Sequence, residues 1–302
     1  MNTDLQRVKD AYLQACKMEL DAIKPGNVST FADGHGMTAA DFLSSAGASV
    51  DPLTDFSKGL GQRIYHAVEQ TRAAVGCNTN LGVILLAAPL LEASFSGDHP
   101  TLRENLQQVL DATTVQDADW CFRAICLAAP AGLGSSNRHD VGDKASVTLL
   151  EAMREAAARD QIAEQYANGY REVFEFALPL MVQSGYSEVS TMTEDIFLAI
   201  LAHQPDTHIR RKFGEHTAEE VRRNAEHLHE RFKRCTSSSQ RAVLLGNADH
   251  RLKKRGINPG TSADLTVATL LSWQLVRQQT FSGAVGVGEV LQTAQSAYFY
   301  QP

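Results

Sequence analysis

The chain is 302 residues long, with 43% hydrophobic and 21% charged residues and a formal net charge of -7. That length allows one large domain or two ordinary ones around a substantial core, and the composition is that of a globular protein. The acidic balance argues against a broad nucleic-acid surface or a polybasic membrane face, so neither nucleic acid nor membrane is an expected partner.

The 5 cysteines, Cys16, Cys77, Cys121, Cys126 and Cys235, are scattered without metal-type spacing, as reduced thiols in a cytoplasmic protein would be. The N-terminus carries charges throughout, unlike a signal peptide, and the most apolar run, 81–91, is too short to cross a bilayer.

Helical periodicity dominates from the start. Leu5, Val8, Tyr12, Ala15, Glu19 and Ala22 mark one face of a first helix, with Glu19 the odd acid on an apolar stripe. Pro25 and Gly26 then break the pattern, in a corner that sets Lys24, Asn27, Asp33 and His35 close together. Taken alone, the corner reads as a solvated surface turn. Thr38 to Asp41 has the form of a capping box, and a longer helix is expected over 55–74.

Gly76 to Asn80 interrupts, and 81–91 is apolar on nearly every face, which predicts a buried central helix kinked or ended by Pro89. Helices are expected over 100–112, 115–128, 146–159, 161–167, 170–183 and 193–203, with a glycine- and serine-rich connection over 131–140. Asp206 is placed as an N-cap with Arg210, Arg211 and Lys212 behind it, cations that a docked anion would relieve. A second capping box is expected at Thr217, opening a charged helix to Arg234, followed by a helix over 239–255. Asn258-Pro259-Gly260 makes a second proline-glycine corner before an apolar helix over 265–276, whose first turn offers backbone N–H groups and the hydroxyls of Thr261 and Ser262 to an anion. Only 284–290 is a weak strand candidate. The expected fold is all-α, a single large multi-helix domain spanning 1–302.

Together these residues make the inventory of a nucleotide-handling site. Lys24, Arg210, Arg211 and Lys212 can neutralise phosphates; Glu19, Asp206 and Asp264 can hold magnesium or act as bases; Asn27, Asn78 and Asn258 can read polar edges.

The same residues carry a resemblance. Glu19-x4-Lys24-Pro25-Gly26-Asn27-Val28, then His35-Gly36-Met37, Asp41-Phe42 and Ser45-Ala46, resemble the N-terminal signature of triphosphoribosyl-dephospho-CoA synthases. Gly76-x-Asn78-Thr79-x2-Gly82 is similar to a second block, and Gly169-Tyr170 with Ala177-Leu178-Pro179 to a third. Asp206-Thr207 with Arg210 or Arg211 and Gly214 resembles a fourth, and Asn258 through Leu265 a fifth. Gly36 stands where the family usually has an acid, Asn80-Leu81 where it usually has a His-Lys pair, and 128–159 fits less well.

The resemblance implies transfer of the triphosphoribosyl group of ATP to the ribose 2′-hydroxyl of 3′-dephospho-CoA, with adenine leaving. The product would be a prosthetic-group precursor for the acyl carrier subunit of citrate lyase or malonate decarboxylase. It implies Glu19, Asp206 and Asp264 in catalysis, with Mg²⁺ on Asp206 and Asp264. Lys24, Gly26, Asn27, His35, Asn78, Thr79, Arg210, Arg211, Asn258, Gly260, Thr261 and Ser262 would bind the nucleotide and its phosphates. Two alternatives stand beside it: a same-fold ribosyl-transfer enzyme with a pterin-type acceptor, and a non-catalytic nucleotide-binding helical protein. The amphipathic helices also allow a homodimer.

Overall fold

A computed structural model describes residues 3–130 and 140–281. Among these the chain forms 14 α-helices, one π-helical segment and no strand, in agreement with the all-α expectation. The strand candidate at 284–290 lies outside the described residues, as does most of the 131–140 connection.

The first half comprises α1 (Thr3–Leu20), α2 (Ala39–Leu53), α3 (Leu60–Val75), α4 (Leu81–Ser96), α5 (Leu102–Asp111), α6 (Val115–Ala128) and α7 (Leu149–Ala156). The second comprises α8 (Gln161–Asn168), the π segment Glu172–Ala177, α9 (Leu178–Gln183), α10 (Val189–His203), α11 (Thr207–Phe213), α12 (Glu215–Arg234), α13 (Ser238–Lys254) and α14 (Gly260–Phe281). The capping box at Thr38 forms as expected, with the Thr38 side chain accepting from Asp41 N and Asp41 returning the bond to the Thr38 backbone. The one expected at Thr217 does not. There α12 starts two residues earlier, at Glu215 behind Gly214, and the Thr217 hydroxyl donates back to Phe213 O.

The apolar run is indeed buried: Ile84, Ala88, Leu90 and Leu91 of α4 have no exposed surface. Pro89, however, does not end the helix, which continues to Ser96. A proline has no N–H to offer the carbonyl four residues back, here that of Leu85. The Tyr166 hydroxyl supplies the missing donor to Leu85 O at 2.6 Å, and the Tyr170 hydroxyl donates to Leu86 O at 3.1 Å. Hydrogen-bonded in this way, the proline sits inside the core.

The other central helix is α14, which packs on α1, α4 and α10. Its buried Thr266, Thr269 and Ser272 hydroxyls each donate to the carbonyl four residues back, so the helix carries polar residues into the interior without orphaning them. A smaller apolar cluster, including Phe197, Leu201, Ile209, Phe232 and Leu245, joins α10 through α13 to the start of α14. The starts of α11 and α14 meet through Thr207 and Thr261, and the loop that follows α1 packs on Ile257 and Pro259 just before α14. No helix among the described residues is long and apolar enough to cross a membrane.

Candidate active site

The two proline-glycine corners, 231 residues apart at Asn27 and Asn258, meet in space. Asn27 Nδ2 donates to Asn258 Oδ1 at 2.8 Å, Gly26 N donates to Asp249 Oδ1 at 2.9 Å, and His35 Nε2 lies 2.7 Å from Gly26 O. Gly26 has a φ of 86°, and a Cβ there would stand 2.8 Å from Pro259 Cδ and 2.9 Å from Ile257 O. Both the backbone angle and the close approach demand glycine. Gly26 therefore serves the junction of the corners.

Lys24 is wholly buried. Its ammonium donates to Val28 O at 2.7 Å and lies 3.3 Å from Glu19 Oε1. Burial raises the Glu19 pKa and lowers that of Lys24, and each charge works against the shift of the other. The lysine given to phosphates by the sequence instead anchors an acid.

Asp206 has no exposed surface either. Its Oδ1 accepts from Ile209 N at 3.0 Å, capping α11, and its Oδ2 accepts from Ser262 N and Ser262 Oγ, both at 2.8 Å. The carboxylate therefore occupies the anion position at the head of α14 that the sequence offered to a phosphate, with Oδ2 accepting two hydrogen bonds and Oδ1 one. Thr261 is likewise engaged, its hydroxyl accepting from His208 N at 3.1 Å and lying 3.2 Å from that of Thr207. Because α11 is only 7 residues long, Arg210, Arg211 and Lys212 sit in its last turn, where cations suit the helix dipole.

Against these corners lies a cavity of about 630 Å³. Glu19, Asn27, His35, Asn78, Thr79, Asn80, Asp160, His208, Arg211, Asn258, Gly260, Thr261 and Asp264 give it polar lining, while Phe42, Phe122, Ile125, Leu149, Met153 and Ile162 give it apolar lining. Asn78 accepts from Leu81 N at 3.2 Å, capping α4, and the Thr79 hydroxyl is 2.5 Å from that of Ser45. Arg211 pairs with Asp160, which also caps α8 through Ile162 N and Ala163 N. Arg210 faces elsewhere, toward Ala158 O and Glu215, and does not line this cavity.

Asp264 is the half-buried acid at the centre of the site. It lines the cavity and receives no hydrogen bond from the described residues. Burial, then the neighbouring acids Asp206 and Glu19, push its pKa well above the carboxylate range, with Arg211 acting in the opposite sense. Its carboxylate lies directly against Gly82, where an added Cβ would stand 2.1 Å from Oδ2. Gly82→Ala must therefore move the carboxylate. We expect this variant to lose about 100-fold or more in turnover, as misplacement of a reacting group does, with its thermal midpoint nearly unchanged. Wild-type rates would show that Asp264 does not need this position.

The sequence missed His208 and Asp160. His208 stands two residues after Asp206 in the fourth block and presses on Gly260, where a Cβ would stand 2.8 Å from its Nδ1. Burial lowers its pKa most, and the neighbouring cations Arg211 and Lys212 and the His35 ring add to this, keeping the imidazole neutral, while Asp206 opposes. The signal was available in the block itself, two residues from each of two candidates. Asp160 gave only the ordinary signal of an N-cap before Gln161.

The fold is shared with a crystallised protein from Archaeoglobus fulgidus that carries the name triphosphoribosyl-dephospho-CoA synthase by assignment, at a TM-score of 0.59 over 76% of this chain and 97% of that one. At 21% identity, that likeness speaks for the fold alone. No curated protein matches the chain. The profile of the ATP:dephospho-CoA triphosphoribosyl transferases matches residues 5–281, nearly the whole of the described structure. The chain belongs to the ATP:dephospho-CoA triphosphoribosyl transferase family.

Proposed function

We propose that this cavity performs the family reaction with Asp264 as its central carboxylate. The observation that carries the assignment is its geometry: an acid with no hydrogen bond from the described residues, held against Gly82 and beside Glu19 and Arg211. The anomeric carbon of ATP is displaced by the 2′-hydroxyl of dephospho-CoA, and adenine departs while the triphosphate stays on the transferred ribose. Such a displacement passes through an oxocarbenium-like state, which a nearby carboxylate stabilises. With Arg211 and a bound cation favouring its ionised form, that carboxylate would also be placed to take the hydroxyl proton. Arg211, aimed by Asp160, is a cation placed for the triphosphate, and Arg159 lines the same cavity. Asn27, Asn78, Asn80 and Asn258 supply the amides that read base and ribose edges.

Among the described residues no group of three or more His, Cys, Asp or Glu converges on a metal position. Mg²⁺ typically arrives with phosphates and needs only one or two carboxylates from the protein, and Asp264, which receives no hydrogen bond from the described residues, fits that demand more readily than Asp206, whose oxygens already accept three. Bound there, the cation would neutralise charge on the triphosphate. Cytoplasmic location and assembly as a homodimer remain part of the proposal.

The test is product detection. Incubation with ATP, Mg²⁺ and 3′-dephospho-CoA is expected to release adenine in proportion to the triphosphoribosylated acceptor. Adenine appearing only with a pterin-type acceptor would overturn the assignment, and ATP binding without adenine release would make the protein a nucleotide binder.

A further inference from the structure

A second hollow, of about 180 Å³, lies behind the first. Neighbouring residues alternate between the two: Asp160, His208 and Arg211 line the main cavity, whereas Gln161, Thr207 and Arg210 line the second. The starts of α8 and α11 form the shared wall. They are held together by Thr207 N, which donates to Gln161 Oε1 at 2.9 Å, and by Gln161 N, which donates to the Thr207 hydroxyl at 3.3 Å. Gln161 is 3% exposed, and its Nε2 has no hydrogen-bond partner among the described residues. A buried amide on the wall of a hollow asks for an acceptor, because an unmet buried donor is costly.

The hollow offers charges of both signs. Its donors are the Gln161 amide and the guanidinium of Arg210, which is held only loosely, 3.4 Å from Ala158 O and 3.7 Å from the exposed Glu215. Its acceptors are Glu164 and Gln204, which stand beside the buried Glu172. Gln204 Nε2 donates to Glu172 Oε2 at 2.8 Å, while Glu172 Oε1 and Gln165 Oε1 have no partner among the described residues. Burial pushes the Glu172 carboxyl up to about 7, and the charge of Glu164 adds to that rise. A simple anion here would meet Arg210 but also these acids, and a simple cation would meet Arg210. A ligand carrying both charges satisfies both sets.

We propose that this second hollow binds a small α-amino acid, its carboxylate on Arg210 and the Gln161 amide and its ammonium on Glu164 and the Gln204 carbonyl. Size points the same way. At about 30 Å³ for each water-sized group, the hollow takes a solute of about six heavy atoms. The inference goes beyond the transfer reaction and does not depend on it.

A ligand-observed NMR titration of the full chain tests this with L-alanine and its two halves, propionate and ethylamine. L-Alanine is expected to bind with a Kd at or below about 1 mM, a small demand on a solute of that size, and each half at least about 10-fold more weakly. Arg210→Gln should weaken L-alanine and propionate alike by about 10-fold, the effect of one charge-assisted hydrogen bond. Glu164→Gln should weaken L-alanine by about 10-fold and leave propionate no weaker. Both positions are half-buried, so either substitution spares the core. Binding of L-alanine should also persist when the main cavity is filled with formycin 5′-triphosphate, an ATP analogue whose base is joined through carbon and cannot leave.

No saturation by about 10 mM, tenfold above that Kd, would mean that the hollow holds water only and would overturn the inference. Propionate binding as tightly as L-alanine would overturn it too, by making this an anion site. So would L-alanine binding that neither variant weakens, or that formycin triphosphate displaces, because the amino acid would then sit elsewhere. Failure of the transfer reading looks different: no adenine from ATP and dephospho-CoA, while the preference for L-alanine and its loss in the variants persist.

Discussion

Asp264→Asn is expected to reduce turnover by about 10³- to 10⁴-fold, the range for loss of a positioned base together with some electrostatic stabilisation of the transition state. The amide keeps the shape of the side chain against Gly82, so binding of formycin triphosphate should persist. Stability should not fall. In the folded state the carboxyl holds its proton more tightly than in the unfolded chain, because burial and the acids Asp206 and Glu19 oppose its ionisation. A group with a raised folded pKa stabilises fully below its unfolded pKa and loses that contribution as pH rises through the folded one. The wild type therefore loses stability as pH climbs out of the ordinary carboxylate range, and the Asp264→Asn variant lacks this loss. Its advantage in denaturant unfolding should grow toward neutral pH. Turnover within tenfold of wild type, with adenine release intact, would remove Asp264 from the centre of the reaction.

What the sequence made legible was local chemistry and its order along the chain. Two proline-glycine corners announce themselves through backbone constraints, and the apolar run of α4 through composition. Their meeting could be suspected, but it is realised by the hydrogen bond between Asn27 and Asn258 and by Gly26 pressed on Pro259, contacts across more than two hundred residues that no periodicity encodes. The choice between Arg210 and Arg211 turned on the phase of a 7-residue helix, too short to fix by pattern. Asp206 was recognised as an N-cap, and that is what it is. What could not be seen is that its second oxygen is spent on Ser262, 56 residues on. The tolerance of Pro89 depended on two tyrosines about eighty residues away.

The pair Glu19 and Lys24 carries the other large expectation. Lys24→Met is expected to destabilise the fold by about 3–5 kcal/mol, the cost of stranding one partner of a buried ion pair. At this chain length that corresponds to a fall in Tm on the order of 10 °C. The reason is specific. Glu19 is 5% exposed, burial already raises its pKa, and the ammonium is the first force acting in the other direction. Adding Glu19→Gln to Lys24→Met removes the stranded charge, so the double variant should regain most of the lost stability although each partner is gone. That recovery separates structural from chemical roles. If Glu19 serves only to be held by Lys24, the refolded double variant transfers at close to the wild-type rate. If its carboxylate, which lines the cavity beside Asp264, takes part in the displacement, the double variant is stable and slow. We expect the second result, because an acid carried on an apolar stripe and kept in place by a buried lysine costs stability that packing alone has no need of. A Lys24→Met variant within 1 kcal/mol of wild type, by denaturant unfolding, would mean that the pair is already neutral in the fold and that Glu19 meets the substrate as a protonated acid.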